Sequence, residues 1–339
     1  MAPPRGWYAL AFSSELATKK VLSRTLGGDA YVVFRTEGGE AAVMDAYCPH
    51  LGAHLGMGGC VEGETLRCPF HGFRFDTGGA CVSTAYGLRT PPKARARVLP
   101  IREKHGLVLV WFDPRGSAPD FEIPDLDEEG WSPLRSNTFS LVGHPQETSE
   151  NSVDLGHLTV VHGYDKPTML REPRANGPLL DVHYSMLRRS GFGPMQIPMY
   201  VEFAPRLYGL GYSIVETWIP SLKARTRHWV LSTPSSAGHI DLRVGTSVKE
   251  LEPVRALRLR APRQALMRAW RHVANTYFEN DIQQDLVFWS NKRYVPRPAL
   301  AEGDGPIGLY RRWASQFYVD REVVAEAPRA EMQVSQKLA

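Results

Sequence analysis

The chain has 339 residues, 43% of them apolar and 22% charged, with a formal net charge of +4 and a pI near 8.8. That length exceeds what one hydrophobic core usually serves, so two domains are expected. The mild, diffuse basicity excludes a nucleic-acid binder built on a dense Lys/Arg stripe. The nearest approach to a stripe is Arg89, Lys93, Arg95, Arg97, Arg102 and Lys104. It reads as a solvated face, the alternative being a docking face for an acidic electron-transfer partner.

In chain order, the N-terminus has no signal-peptide pattern, and no apolar run long enough to cross a membrane occurs anywhere. Strands are predicted at Tyr31 to Phe34, Ala41 to Met44, Leu66-Arg67 and Leu107 to Phe112, separated by paired glycines. This is the pattern of a small antiparallel β domain with loops at one end. The segment from Asp113 to Pro119 reads as a linker. A helix is expected from about Glu147 to Val161. Strands then follow at Leu180 to Tyr184, Met199 to Phe203, Tyr212 to Trp218, His228 to Ser232 and Ile240 to Ser247. A long amphipathic helix is predicted from Pro262 to Trp289, with Leu266, Trp270, Val273, Tyr277, Phe278, Ile282 and Phe288 mostly on one face.

Two Cys/His pairs stand out: Cys48-Pro-His50 and Cys68-Pro-Phe-His71. Two thiolates and two imidazoles can bind zinc or an iron–sulfur cluster. Structural zinc pairs usually join like to like, whereas each pair here is mixed. That suits a cluster with one iron on both cysteines and the other on both histidines. With no export signal, the cysteines read as thiols in a reducing cytoplasm and not as disulfides. Cys60 and Cys81 are expected to be small buried residues, and His54 a structural histidine.

The stretches Cys48-Pro-His50-Leu-Gly-Ala-His-Leu-Gly and Cys68-Pro-Phe-His71-Gly-Phe-Arg-Phe-Asp resemble the Rieske domain of ring-hydroxylating and steroid-oxidising oxygenases. Rieske proteins of respiratory complexes carry an extra cysteine in each loop. Ala53 and Phe70 stand at those positions here, which favours the oxygenase type.

A second constellation lies in Glu150-Asn-Ser-Val-Asp154-Leu-Gly-His157-Leu-Thr-Val-Val-His162. Asp154 and His157 would share a helical face, with His162 close enough to converge. Two histidines and one carboxylate make a facial triad that leaves iron positions open. Asp154 is suited to hold a ligating histidine by its other nitrogen. The third carboxylate must come from a distant element, and Asp281 and Asp285 on the long helix are the candidates. The motif Asp-x2-His-x4-His resembles the iron site of the same oxygenases. The resemblance makes His157 and His162 iron ligands and Asp154 the bridge to a Rieske histidine of a neighbouring subunit. It also selects Asp285, four residues before Trp289, as the third ligand.

The resemblance covers about Gly6 to Tyr318 and implies an α+β chain. An all-β Rieske domain (1–113) would precede a helix-grip catalytic domain (120–339), an antiparallel sheet over a long helix. It further implies one 2Fe–2S cluster and one Fe(II) per subunit, O2 as co-substrate, and NAD(P)H electrons delivered by a separate ferredoxin or flavin reductase. A homotrimeric ring is implied too. Glu150-Asn151, the stretch Trp289-Ser-Asn-Lys-Arg-Tyr-Val-Pro-Arg-Pro-Ala-Leu, Asp304-Gly-Pro-Ile and Arg311-Arg-Trp-Ala-Ser-Gln-Phe-Tyr318 resemble the branch of 3-ketosteroid 9α-hydroxylase and cholesterol 7-desaturase. That implies hydroxylation, desaturation or oxidative demethylation of a sterol or steroid. The alternatives are the same chemistry on an aromatic or alkaloid-like substrate, an electron-transfer Rieske protein, or a zinc module. Packing is the simpler account of the aromatic tail.

Overall fold

The computed structural model describes residues 3–87, 89–192, 195–251 and 260–318; residues 319–339 of the expected second domain lie outside these. The regular structure of the first third is strand, apart from one 3-10 turn at Ser13–Glu15. β1 (Gly6–Phe12) pairs with β10 (Leu107–Phe112), which pairs with β9 (Ile101–Lys104). β2 (Val21–Leu26), β3 (Asp29–Arg35) and β4 (Ala41–Asp45) form a second sheet. β5 (Cys60–Glu62), β6 (Thr65–Arg67), β7 (Arg74–Phe75) and β8 (Cys81–Ser83) form a third. All pairs are antiparallel.

The second part is a seven-stranded antiparallel sheet in the order β11-β17-β16-β15-β14-β13-β12. Its strands are β11 (Arg135–Val142), β12 (Asp165–Asn176), β13 (Leu179–Phe192), β14 (Met195–Tyr208), β15 (Tyr212–Ile219), β16 (Ala224–Ser236) and β17 (His239–Val248). The five central strands contain the five predicted ones. Both edge strands, β11 and β12, were not predicted. β12 alternates half-buried and exposed residues and carries two prolines, a composition tolerated at an edge because one row of backbone groups needs no partner.

The helix expected over 147–161 is two short helices, α1 (Pro145–Glu150) and α2 (Gly156–Val160). The chain breaks between them where Leu155 donates its backbone N–H to the Asp304 carbonyl at 3.1 Å. Gly305 lies against the same break: a Cβ there would come within 2.1 Å of the Val153 carbonyl oxygen. The long helix, α3 (Arg260–Asn291), lies on the sheet, and α4 (Ile307–Ala314) closes the C-terminal end. Its predicted face is partly out of phase. Leu266, Val273 and Phe288 are exposed, whereas Ala274, Asn275, Ile282, Asp285 and Trp289 are buried.

The two parts share a core. Trp7, Ala9, Leu109 and Trp111 from the first pack with Tyr212, Ile214, Trp229 and Leu231 from the second. A register shift between Ala9 and Ala11 in β1 marks the seam. The Ala9 carbonyl accepts from Thr233 Oγ1 at 2.7 Å and from Arg243 Nη1 at 3.0 Å. Arg243 is fully enclosed, and burial pushes its pKa down to about 10.

Candidate metal centres and substrate cavity

The loops after β4 and β6 fold alike although their histidine spacings differ. Cys48 donates its N–H to the Ala53 carbonyl and Cys68 to the Phe73 carbonyl, each at 2.8 Å. Gly52 N–H returns to the Cys48 carbonyl at 2.9 Å and Gly72 N–H to that of Cys68 at 3.1 Å, both glycines being left-handed. Both thiols are buried in one core cluster. Burial and the neighbouring Cys68 push the Cys48 thiol up to about 11, so in this setting it stays protonated unless a cation replaces the proton. The His50 and His71 rings meet edge to face, their centroids 4.7 Å apart, and His50 stacks on Phe73 at 4.3 Å. His71 Nδ1 is buried without a hydrogen-bond partner. Two enclosed thiols, two adjacent imidazoles and one unpartnered ring nitrogen fit a cluster with mixed ligands.

His54 accepts the Gly56 N–H on Nδ1 at 3.1 Å and packs edge-on against Tyr47. Cys81 is buried as expected. Cys60 is not: it is exposed on β5, where a small edge strand leaves its side chain in water.

The structure also brings His157, His162 and Asp285 together, with one potential ligand atom from each lying within 4.8 Å of the others. His157 comes from the start of α2, His162 from just past its end, and Asp285 from α3. His162 Nε2 stands 3.3 Å from Asp285 Oδ1, and its Nδ1 is 2.8 Å from Gln284 Oε1. An amide oxygen only accepts, so Nδ1 keeps its proton and Nε2 is the nitrogen turned to Asp285. Burial lowers the pKa of His162, but the bond and charge of Asp285 outweigh it and leave the group raised. A cation can take the place of that proton between an imidazole and a carboxylate.

Asp154 precedes α2 instead of lying on a common helix with His157. Its Oδ1 accepts the His157 backbone N–H at 3.2 Å and lies 3.5 Å from His157 Nδ1. Burial raises its pKa, but the contacts with His157 prevail and hold the carboxyl below its ordinary value.

Asp281 has other partners. It accepts from Tyr164 Oη at 2.6 Å and pairs with Arg188 Nη2 at 3.1 Å. Its carboxylate is therefore already neutralised, which separates it from Asp285. Replacing Asp281 by alanine is expected to cost about 2–3 kcal/mol, because Arg188 would stay partly enclosed and unpaired. Chemical denaturation checks this, and a stability within about 0.5 kcal/mol of the parent would refute the pairing.

Beneath the motif lies a polar helix that is wholly buried. All six residues of α1 are enclosed, and Glu150 is held by Arg311 Nε at 2.7 Å and Lys292 Nζ at 3.4 Å. Lys292 also pairs with Glu147 at 3.1 Å. The Thr148 and Ser232 hydroxyls meet at 2.6 Å, as do those of Ser149 and Tyr310. These partners explain the tail: Arg311 and Tyr310 clamp α1, while Trp313 and Phe317 fill the core beside it.

A cavity of about 120 Å³ opens beside His157, His162 and Asp285, walled by Tyr184, Met186 and Trp289 among others. A second, of about 260 Å³, continues along α3 past Tyr277 and Trp270. Phe203, His228, Phe278 and Asp281 line both.

His228 forms part of this partition, its ring on Phe278 at 4.4 Å and its Nε2 2.7 Å from Thr226 Oγ1. Burial, aided by the charge of Arg188, pushes its pKa down to about 3 from an ordinary 6.5. The unfolded chain therefore takes up this proton near pH 6.5 and the folded chain only near 3. His228 leaves stability unaffected above pH 6.5 and reduces it as pH falls through that window, by up to about 1.4 kcal/mol per unit. Melting temperatures measured from pH 7 to pH 5 are expected to fall more steeply in the parent than in His228→Gln. Equal slopes would remove His228 as a cause.

Residues 6–91 match the Rieske 2Fe–2S domain family, and residues 110–318 match the 3-ketosteroid 9α-hydroxylase C-terminal domain family. A probable 3-ketosteroid-9-alpha-monooxygenase oxygenase component from Rhodococcus rhodochrous is 33% identical over 338 residues, covering 94% of this chain and 80% of the relative. Cholesterol 7-desaturase nvd 1 from Ciona intestinalis is 31% identical over 341 residues, covering 94% of this chain and 69% of the relative. Among solved structures, dicamba monooxygenase bound to dicamba superposes with a TM-score of 0.66 at 20% identity, covering 92% of this chain and 96% of that one.

Proposed function

Since the chain belongs to the Rieske oxygenases with a 3-ketosteroid 9α-hydroxylase-type C-terminal domain, we propose that it oxidises a sterol or steroid with O2, using electrons from a separate reductase or ferredoxin. In this reading residues 1–113 carry electrons and the segment from 120 onward carries out the chemistry. Cys48, His50, Cys68 and His71 hold the cluster. His157, His162 and Asp285 hold the mononuclear iron. The convergence of those three side chains beside an apolar cavity is the observation that carries the reading. It separates an oxygenase from a bare electron carrier, which has no use for a second donor set.

The metal supplies the activation of O2. The protein supplies the rest. Asp154 orients His157, and Gln284 fixes the protonated nitrogen of His162. The apolar walls exclude water and hold the substrate. The cavity beside the triad alone is smaller than the roughly 300–1,000 Å³ of drug-sized pockets, and both cavities are needed for a polycyclic guest. The small size of the first one favours a second reading, a single-ring aromatic or alkaloid-like substrate confined to it.

The family's homotrimeric ring, with the cluster of one subunit serving the iron of the next, agrees with two surfaces. Leu51, Met57, Phe70 and Tyr86 are exposed on and near the cluster loops, and Val160 is exposed at the end of α2. No helix among the described residues is long and apolar enough to cross a membrane. A cytoplasmic setting fits thiolate ligands.

The test is incubation of the metal-loaded protein with reductase, NAD(P)H and panels of sterols, steroids and small aromatics, with products identified by mass. Oxidation of a sterol or steroid is expected, and turnover of aromatics alone would overturn the substrate reading. Asp154→Asn is expected to slow turnover at least about tenfold with both metals still bound. Unchanged turnover would remove Asp154 from the electron path.

A further inference from the structure

The two cavities lie in series along the helix and the sheet, with Phe203, His228, Phe278 and Asp281 as their shared wall. On β15 the alternate residues Ser213 and Val215 line the lobe beside the triad, while Thr217 and Ile219 line the outer lobe. On α3, Asp285 stands at the inner end and Trp270 at the outer end, about 22 Å apart along the helix axis.

The outer wall is mainly apolar, with Met199, Val201, Ile219 and Val273. Its polar groups are accounted for in most cases. Thr226 bonds His228, and Arg188 is matched by Asp281. Two buried polar atoms of this wall have no partner: Thr217 Oγ1 and Trp270 Nε1. Thr217 is only 6% exposed, so water does not compensate it from the surface. A buried donor left unpaired in an apolar wall is costly unless a guest satisfies it.

The chemistry of the pair narrows the guest. An indole N–H only donates, and a hydroxyl can donate, so the complementary group is an oxygen with free lone pairs. Among the described lining residues of the lobe the one cation, Arg188, is already paired with Asp281, which disfavours a carboxylate. We propose that Thr217 and Trp270 form an anchoring subsite for a neutral oxygen, ketone or hydroxyl, at the end of the substrate remote from the oxidised carbon. The proposal rests on the assignment of the inner lobe to the chemistry. The inner lobe has unpaired polar atoms of its own on Ser213 and Trp289, and Thr217 with Trp270 is the corresponding pair on the outer wall. The proposal also predicts discrimination, because a site built to bond an oxygen rejects the analogue that lacks it.

The test measures dissociation constants on the metal-loaded protein by equilibrium dialysis. The probes are 5α-androstane, 5α-androstan-3-one and 5α-androstan-17-one, with biphenyl and 4-phenylphenol as a non-steroid pair. In the parent, one ketone is expected to bind about tenfold more tightly than the hydrocarbon. In the double variant Thr217→Val with Trp270→Phe, that ratio is expected to fall to near one while the hydrocarbon binds as before. Thr217→Ser, which keeps the hydroxyl, is expected to retain most of the ratio. If the steroids do not bind but 4-phenylphenol outcompetes biphenyl in the parent and not in the double variant, the anchor stands and the steroid reading fails. The anchor is overturned if no oxygen-bearing probe is preferred in the parent, or if the preference survives in the double variant.

Discussion

Replacing Asp285 by alanine is expected to give a brown protein that has lost nearly all turnover. The four proposed cluster ligands lie on loops of the first domain, so visible absorbance and the reduced EPR signal should persist. The mononuclear site loses the carboxylate that stands 3.3 Å from His162 Nε2. Iron should fall from about three to about two per chain, and turnover by at least about a hundredfold, since even residues that only support a ligand cost 10–100-fold. Asp281→Ala is the contrast: it removes a partner of Arg188 and Tyr164 and should keep its iron. Iron retained in Asp285→Ala and lost in Asp281→Ala would reverse the assignment.

The second large effect is expected at Cys68→Ser. The residue is 1% exposed, and its loop shares a core cluster with Cys48, Phe73 and Phe75. Loss of one thiolate should abolish the cluster, leaving a colourless protein with about one iron per chain and no reductase-driven turnover. Because metal binding to buried ligands is also folding energy, the melting temperature should drop as well. Cys81→Ala tests the alternative donor: Cys81 is buried in the same cluster, but no part of the double-loop turn involves it. A colourless Cys81→Ala with a brown Cys68→Ser would overturn the ligand set.

What the amino-acid sequence discloses follows the range of the interactions. The cluster loops were legible because each is closed by bonds across a five-residue turn, so their chemistry is written in consecutive residues. The central strands were legible as apolar runs. The edge strands β11 and β12 were not, because an edge needs no buried face on both sides and its residues read as loop. The proposed third ligand depended on resemblance: Asp281 and Asp285 lie one helical turn apart, and what tells them apart comes from distant elements, Tyr164 and Arg188 on Asp281 and the two histidines at Asp285. The polar helix α1 was read as part of a longer helix with nothing to suggest burial. Its counter-charges, Lys292 and Arg311, sit far along the chain. The phase of α3 was misjudged in part: Leu266, Val273 and Phe288 are exposed, while the polar Asn275 and Asp285 are buried.

The seam at Ala9 bears on how the molecule comes apart. The side chains of Thr233 and Arg243, from two strands of the second part, hold a carbonyl of the first, and Trp7 and Trp111 share their core with Tyr212 and Trp229. Cut free after the linker, the electron-carrying half would expose two tryptophans and a carbonyl stripped of its donors. The two functions are thus separable in sequence but not in folding. A single cooperative melting transition is the behaviour this shared core requires, and an isolated N-terminal fragment would be an aggregation-prone species, not a small electron carrier.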